Sequence, residues 1–166
     1  GRLSRSPEVD LVKTYVDRAT AAGRALGLGP VEVIEVEARK PGKAAEADVL
    51  RPHLAGAHVV ACDEHGKAYA SRAFAAELGR IRDQGARRMV LMIGGADGLD
   101  PKLLASAHDK LAFGPQTWPH ALARVMLAEQ IYRAVTIWRE APIIGTRRIT
   151  ALGLILCLGL TTGLGA

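Results

Sequence analysis

Aromatic side chains are scarce in this chain: two Phe, two Trp and three Tyr among 166 residues. Extended binding of unpaired bases relies on aromatic platforms, so recognition by stacking on many bases is excluded. Cysteine is rarer still. Cys62 and Cys157 stand far apart, with neither CxxC nor Cys/His ligand spacing, so no disulfide framework, zinc site or other metal is expected. Glycine is plentiful, yet there is no GxGxxG fingerprint, and no GK[ST] follows a glycine loop, which disfavours nucleoside triphosphate binding. No signal-peptide pattern opens the chain, which starts at Gly1 rather than Met.

Charge is missing altogether from residues 149–166, ITALGLILCLGLTTGLGA, which follow Arg147 and Arg148. Hydropathy alone reads this stretch as a marginal membrane anchor. Over the whole chain the composition is that of a soluble globular protein, 49% apolar and 23% charged. The length suffices for one core without metals or disulfides. Lys and Arg number 22 against 17 Asp and Glu, giving +5 and a pI near 9.6. That balance permits a polyanionic partner without demanding one. A reducing, cytoplasmic setting fits.

Ser6-Pro7-Glu8 combines a cap, a first-turn proline and an acid at the positive end of the dipole, so a helix is expected to about Leu26. VEVIEVE (31–37) alternates as a half-buried strand does, 44–55 reads as helix, and HVVACDE (58–64) as a short buried strand ending in the loop HGKAYA. Ser71 starts an amphipathic helix with Phe74, Leu78 and Ile81 on one face. RMVLMIGG (88–95) has the unbroken apolar run of a strand covered on both sides. Asp100-Pro101 opens another helix, FGPQT (113–117) is a short strand or loop, and 119–140 forms the longest helix. Strands alternating with helices predict an α/β fold, a parallel sheet flanked by helices. Ligands in such sheets gather beyond the carboxyl ends of the strands.

Three segments fall at those ends: Cys62-Asp63-Glu64, Ile93-Gly94-Gly95 and the segment before Pro119. IGGADGLD (93–100) puts glycines directly after a buried strand, where backbone approaches a ligand closely and N–H groups stay free for it; a tight strand-to-helix turn is the plainer reading. GPQTWPH (114–120) follows a path set by Gly114, Pro115 and Pro119, with Trp118 as a flat wall; a rigid connector around a core Trp fits equally. His120 lies at the start of the last helix, where the dipole and nearby arginines disfavour its protonated form, leaving the imidazole as a base or as a cap. Glu129 and Arg133 make an i, i+4 pair, and Arg124 and Arg133 lie on different faces. The remaining histidines, His53, His58, His65 and His108, read as surface or loop residues.

Together, CDEHGK, IGGADGLD and TWPHALARVMLAEQIYRA resemble the ribosomal RNA large subunit methyltransferase H family, a small branch of the SPOUT methyltransferases. The likeness runs from Gly1 to about Pro142 and is most specific over 88–142. It implies a single SPOUT domain over 1–142 with a C-terminal trefoil knot, S-adenosylmethionine bent in that knot, and a homodimer with active sites at the interface. It also implies methylation of N3 of a pseudouridine in large-subunit (23S) ribosomal RNA on the assembled ribosome, without metal or membrane. Carried over by position, the cofactor contacts fall at Cys62 or Asp63, at Gly95, and at Gly114, Pro115, Gln116, Thr117, Trp118 and Pro119. His120 becomes the candidate base and Arg133 the candidate electrostatic helper. A catalytically impaired ribosome-binding module of the same fold is the alternative.

Two departures accompany the resemblance. Family members open with a short strand ending in a Val-Gly-Lys type turn, and Gly1-Arg2 matches only that turn, so an edge or central strand is expected to be missing and a neighbour's backbone groups exposed. Members also close with Pro-Tyr-His-Arg, whereas Pro142 precedes Ile143-Ile144-Gly145. Deleting the third base of CCN-TAT-CAT-CGG gives CCT-ATC-ATC-GG, which encodes Pro-Ile-Ile-Gly. Residues 143–166 are therefore expected to be an atypical apolar tail of frameshift origin, and without Arg147 and Arg148 the charge falls from +5 to +3.

Overall fold

The structure, a computed structural model, describes residues 6–140 together with the backbone of residues 153–160. Helix α1 (Pro7–Arg24) starts where the sequence places it: Ser6 Oγ accepts from Val9 N at 3.4 Å, with Pro7 in the first turn and Glu8 and Asp10 near the dipole's positive end. The chain continues through β1 (Val31–Glu37), α2 (Lys43–Leu54), β2 (His58–Ala68), α3 (Ser71–Asp83), β3 (Arg88–Ile93), α4 (Pro101–Ser106), β4 (Asp109–Ala112), α5 (His120–Glu140) and β5 (Gly153–Leu160).

The five strands form one sheet in the order β1-β5-β3-β2-β4, every neighbouring pair parallel. Alternation along β3 shows how it is covered. Met89, Leu91 and Ile93 pack with α1, α3 and α5 on one face, while Val90 and Met92 pack with α2, Leu99 and α4 on the other. Five of the six β3 residues, Met89 to Ile93, are buried, and Met89 to Met92 have no exposed surface. Truncating a side chain of this kind to Ala costs about 2–5 kcal/mol. The expected parallel sheet with helices on both faces is present.

Several elements differ from the sequence reading. β2 does not stop at Glu64. It leaves the ladder after Cys62, which pairs in register with Leu111, and rejoins it at Lys67, which pairs with the same residue. The excursion packs tightly, for a Cβ on Gly66 would lie 2.6–2.7 Å from backbone atoms of Leu111 and Lys110. Gly66→Ala is therefore expected to destabilise the protein by about 1–3 kcal/mol, read as a lower denaturant midpoint with an unchanged slope. The last short strand is Asp109–Ala112, earlier than FGPQT, whose residues form an irregular loop. His108 is an exposed bend residue, as expected, whereas His58 opens β2 half-buried; their rings stack at 4.5 Å, and His58 Nε2 lies 2.6 Å from Asp109 Oδ2. Both sit at the amino-terminal ends of β2 and β4, opposite the candidate site.

The uncharged tail contributes β5, which stands between β1 and β3 in the middle of the sheet. Residues 143–152, where the family departure begins, lie outside the described residues. Among the described residues no helix is long and apolar enough to cross a membrane, and no cluster of His, Cys, Asp and Glu is arranged to hold a metal ion.

Candidate active site

Register across three adjacent strands brings the candidate segments to one end of the sheet. Ala61 pairs with Met92 and Cys62 with Leu111, so Cys62, Ile93 and Leu111 form a row across β2, β3 and β4. One step further along lie Asp63, the Gly94-Gly95 turn and the stretch from Ala112 to Gly114. α5 then begins at His120 on the same side. The convergence follows from parallel strand direction, since every carboxyl end points the same way.

Cys62 packs against the core, and burial pushes its thiol up to about 12, so it is a neutral group at any pH where the protein works. Asp63 is turned back on its own loop: Oδ1 accepts from His65 N at 3.0 Å and lies 3.2 Å from His65 Nδ1. The Gly94-Gly95 turn is built more tightly than its sequence suggests. A Cβ on Gly94 would meet Gly98 C and Leu99 N at 2.8 Å, and Gly98 takes a φ of +78° while its N–H donates to Gly95 O at 2.9 Å. Nor is the Gly95 N–H free for a ligand, as the glycine-rich stretch had implied. It donates to Glu46 Oε1 at 2.8 Å.

Glu46 is the residue that sequence reasoning missed. It is buried on α2 beside Ala47 and Leu50, and a lone acid on an apolar helix face was the available signal. Burial raises its pKa first, the Gly95 N–H lowers it, and Asp97 raises it again, with a net upward direction. A raised carboxyl means the folded state holds the proton longer than the unfolded one, so stability falls as pH rises through the window above the ordinary carboxylate value. Glu46→Gln keeps an acceptor for Gly95 and should flatten that slope, measured as denaturant midpoints across the acidic range.

The segment Gly114–Pro119 is the most open part. Gly114 has φ +98° with nothing within 4 Å of an added Cβ, and Pro115 to Pro119 are exposed. Trp118 Nε1 donates to Phe113 O at 3.3 Å, closing the loop on itself. With 39% of its surface exposed, Trp118 is a wall at the rim and not a core side chain. Gly114 also borders a cavity of about 500 Å³ that extends past Phe113, Tyr69 and Met126 to Glu129.

His120 opens α5, whose first turn is closed by Ala123 N donating to Pro119 O at 3.0 Å. Burial, and second the Arg124 charge, hold its imidazole below the usual histidine value, leaving it neutral near pH 7. Arg124 is 4% exposed; its Nη1 donates to Glu35 Oε1 of β1 at 3.2 Å, while Nε and Nη2 have no partner among the described residues. Arg133 is different. It is exposed and paired with Glu129, as the i, i+4 spacing predicts. Thirteen residues separate it from His120, about 20 Å along a helix axis. One chain does not bring the two together; Glu129, not Arg133, faces the Gly114 cavity.

The backbone-rich rim and a neutral imidazole beside it suit a polar nucleoside and a proton acceptor. Comparison with known proteins agrees. The family described as Predicted SPOUT methyltransferase matches residues 1–142. Curated relatives named Ribosomal RNA large subunit methyltransferase H include those of Phenylobacterium zucineum (strain HLK1), 74% identical, and Caulobacter sp. (strain K31), 68% identical. Each matches over 142 residues, covering 86% of this chain and 92% of the relative. That of Dinoroseobacter shibae (strain DSM 16493 / NCIMB 14021 / DFL 12) is 53% identical over 144 residues with the same coverage. Matching along these lengths and identities, the chain belongs to the ribosomal RNA large subunit methyltransferase H family of SPOUT methyltransferases.

Proposed function

We propose that this chain methylates N3 of a pseudouridine in large-subunit ribosomal RNA on the assembled ribosome, in the cytoplasm, using S-adenosylmethionine. The observation that carries the reading is the meeting of Asp63, Gly95 and Gly114–Pro119 at one end of the sheet beside a neutral His120. The residues fit such a cofactor. Gly114 leaves open space where a side chain would stand, and Pro115 to Pro119 beside it are exposed. Gly114 to Pro119 would hold it, next to Asp63 and Gly95, whose carboxylate and N–H are already paired with His65 and Glu46, in a site the family reading ties into a trefoil knot. Bound there, the sulfonium would supply an electrophilic methyl group.

The protein's own task is to make N3 nucleophilic. A neutral imide nitrogen is a poor nucleophile, so His120 accepts the N3 proton at an imidazole nitrogen, and the same site must position the base and exclude water. Arg133, about 20 Å along α5 from His120, serves as electrostatic helper in a site shared by two copies. A role for Arg133 beside His120 therefore requires the second copy of a homodimer, which belongs to the same proposal. His120→Ala should lower single-turnover methylation of ribosomes lacking the modification by about 100-fold or more. A loss of less than about threefold, under 1 kcal/mol of barrier, removes His120 from this role. Because its pKa is depressed, the acid limb of the rate profile should fall below pH 6.5, the ordinary histidine value.

Ile143-Ile144-Gly145 after Pro142, where the family reading expects Tyr-His-Arg, favours the second reading, a module that binds the ribosome without transfer. Calorimetry with S-adenosylmethionine beside the methylation assay separates them. Binding without transfer selects the module.

A further inference from the structure

The middle of the sheet is supplied from outside the family match. The family model matches residues 1–142, yet β5 (153–160) occupies the position between β1 and β3. It pairs with β1 over seven positions, from Val31↔Leu154 to Glu37↔Leu160, and with β3 over six, from Arg88↔Gly153 to Ile93↔Leu158. Among the described residues β1 has no other strand neighbour in the sheet. Remove β5, and two facing rows of backbone N–H and C=O groups lose their partners in the interior, where such groups are strongly disfavoured when unpaired.

We propose that the gap between β1 and β3 is a strand-binding slot and that the uncharged segment 153–160 of this same chain is its occupant. The chemistry of the slot selects its ligand. Both neighbours run parallel to the guest, which pairs through a parallel ladder on each side. Helices cover both faces of the sheet, α2 packing over β5 itself, so a guest strand must be apolar on both sides. GLILCLGL meets that demand without a single charge. Delivery in cis also fits the chain path. α5 starts at the carboxyl ends of the strands, and β5 starts level with Arg88, at the amino end of β3, which is the order of a β-α-β crossover. The frame thus takes a strand from outside the family match, provided that strand is apolar.

Native Cys157 gives a register-specific test in the full chain. It is in register with Ile34, and adjacent strands lie about 4.8 Å apart, within disulfide reach. Ile34→Cys should form an intramolecular 34–157 disulfide under mild oxidation, mapped by peptide mass spectrometry, while Glu37→Cys, three positions out of register, should not. The buried Cys62 thiol reacts slowly and does not confuse the result. A second variant, Leu156→Pro, removes a ladder donor and should raise hydrogen exchange of β1 amides about tenfold or more with α3 and α5 little changed. A 34–157 bond joining two chains would overturn the proposal in favour of strand exchange. Free thiols at both positions with β1 exchange unaffected by Leu156→Pro would overturn the slot itself.

Discussion

Gly94→Ala is expected to weaken cofactor binding strongly while leaving most of the core folded. The added Cβ would stand 2.8 Å from Gly98 C and Leu99 N, both backbone atoms that no side-chain rotation can move aside. Relief requires opening the 94–98 turn, which breaks the Gly98 N–H to Gly95 O bond and pulls Gly95 N from Glu46. Overpacking of this kind costs about 1–3 kcal/mol in stability. The larger effect is on ligand geometry, since a misplacement of about 1 Å costs on the order of 100-fold. Calorimetry with S-adenosylmethionine on a variant whose far-ultraviolet spectrum is unchanged measures it. Undiminished affinity would show that the turn is structural only.

The second large effect is asymmetric. Glu35→Ala should destabilise the protein more than Arg124→Met, although the two substitutions break the same ion pair. Removing Glu35 leaves a buried guanidinium with no partner among the described residues for any of its nitrogens, for Nε and Nη2 already lack one. Breaking a buried pair from one side costs about 3–5 kcal/mol, and the partial exposure of Glu35, 39%, brings the expectation toward about 2–3 kcal/mol. Arg124→Met instead removes the buried charge and fills its volume, a change that is often nearly neutral. The same variant lifts one of the two causes depressing His120, so the acid limb of its rate profile should move upward, though only in part because burial is the larger cause. Denaturant midpoints of the two variants, with one pH–rate profile, test both statements. Equal destabilisation would contradict the account.

Much of this architecture was legible in local pattern. The buried run of β3, the capped start of α1 and the Glu129–Arg133 spacing each depend on neighbours within a few residues, and each is found where expected. What depends on distant chain was not legible. Glu46 reaches Gly95 across 49 residues and Arg124 reaches Glu35 across 89, and no periodicity reports such pairs. The extension of β2 to Ala68 was hidden because its polar residues, Asp63 to Lys67, form an excursion that rejoins the ladder. The uncharged tail was read by hydropathy as an anchor, yet a central parallel strand has the same composition. Site residues were legible through resemblance more than through physics. Arg133 shows the limit of position-by-position transfer, since helix rise alone separates it from His120 within one chain.

The account rests on three strand ends forming a single pocket, and amide chemical-shift mapping with S-adenosylhomocysteine tests this directly. Titration should perturb Asp63, Gly95 and the non-proline residues from Gly114 to Trp118 together, with one common dissociation constant. Perturbations confined to one of these segments, or gathered around α1 and the amino-terminal His58–His108 end of the sheet, would contradict it.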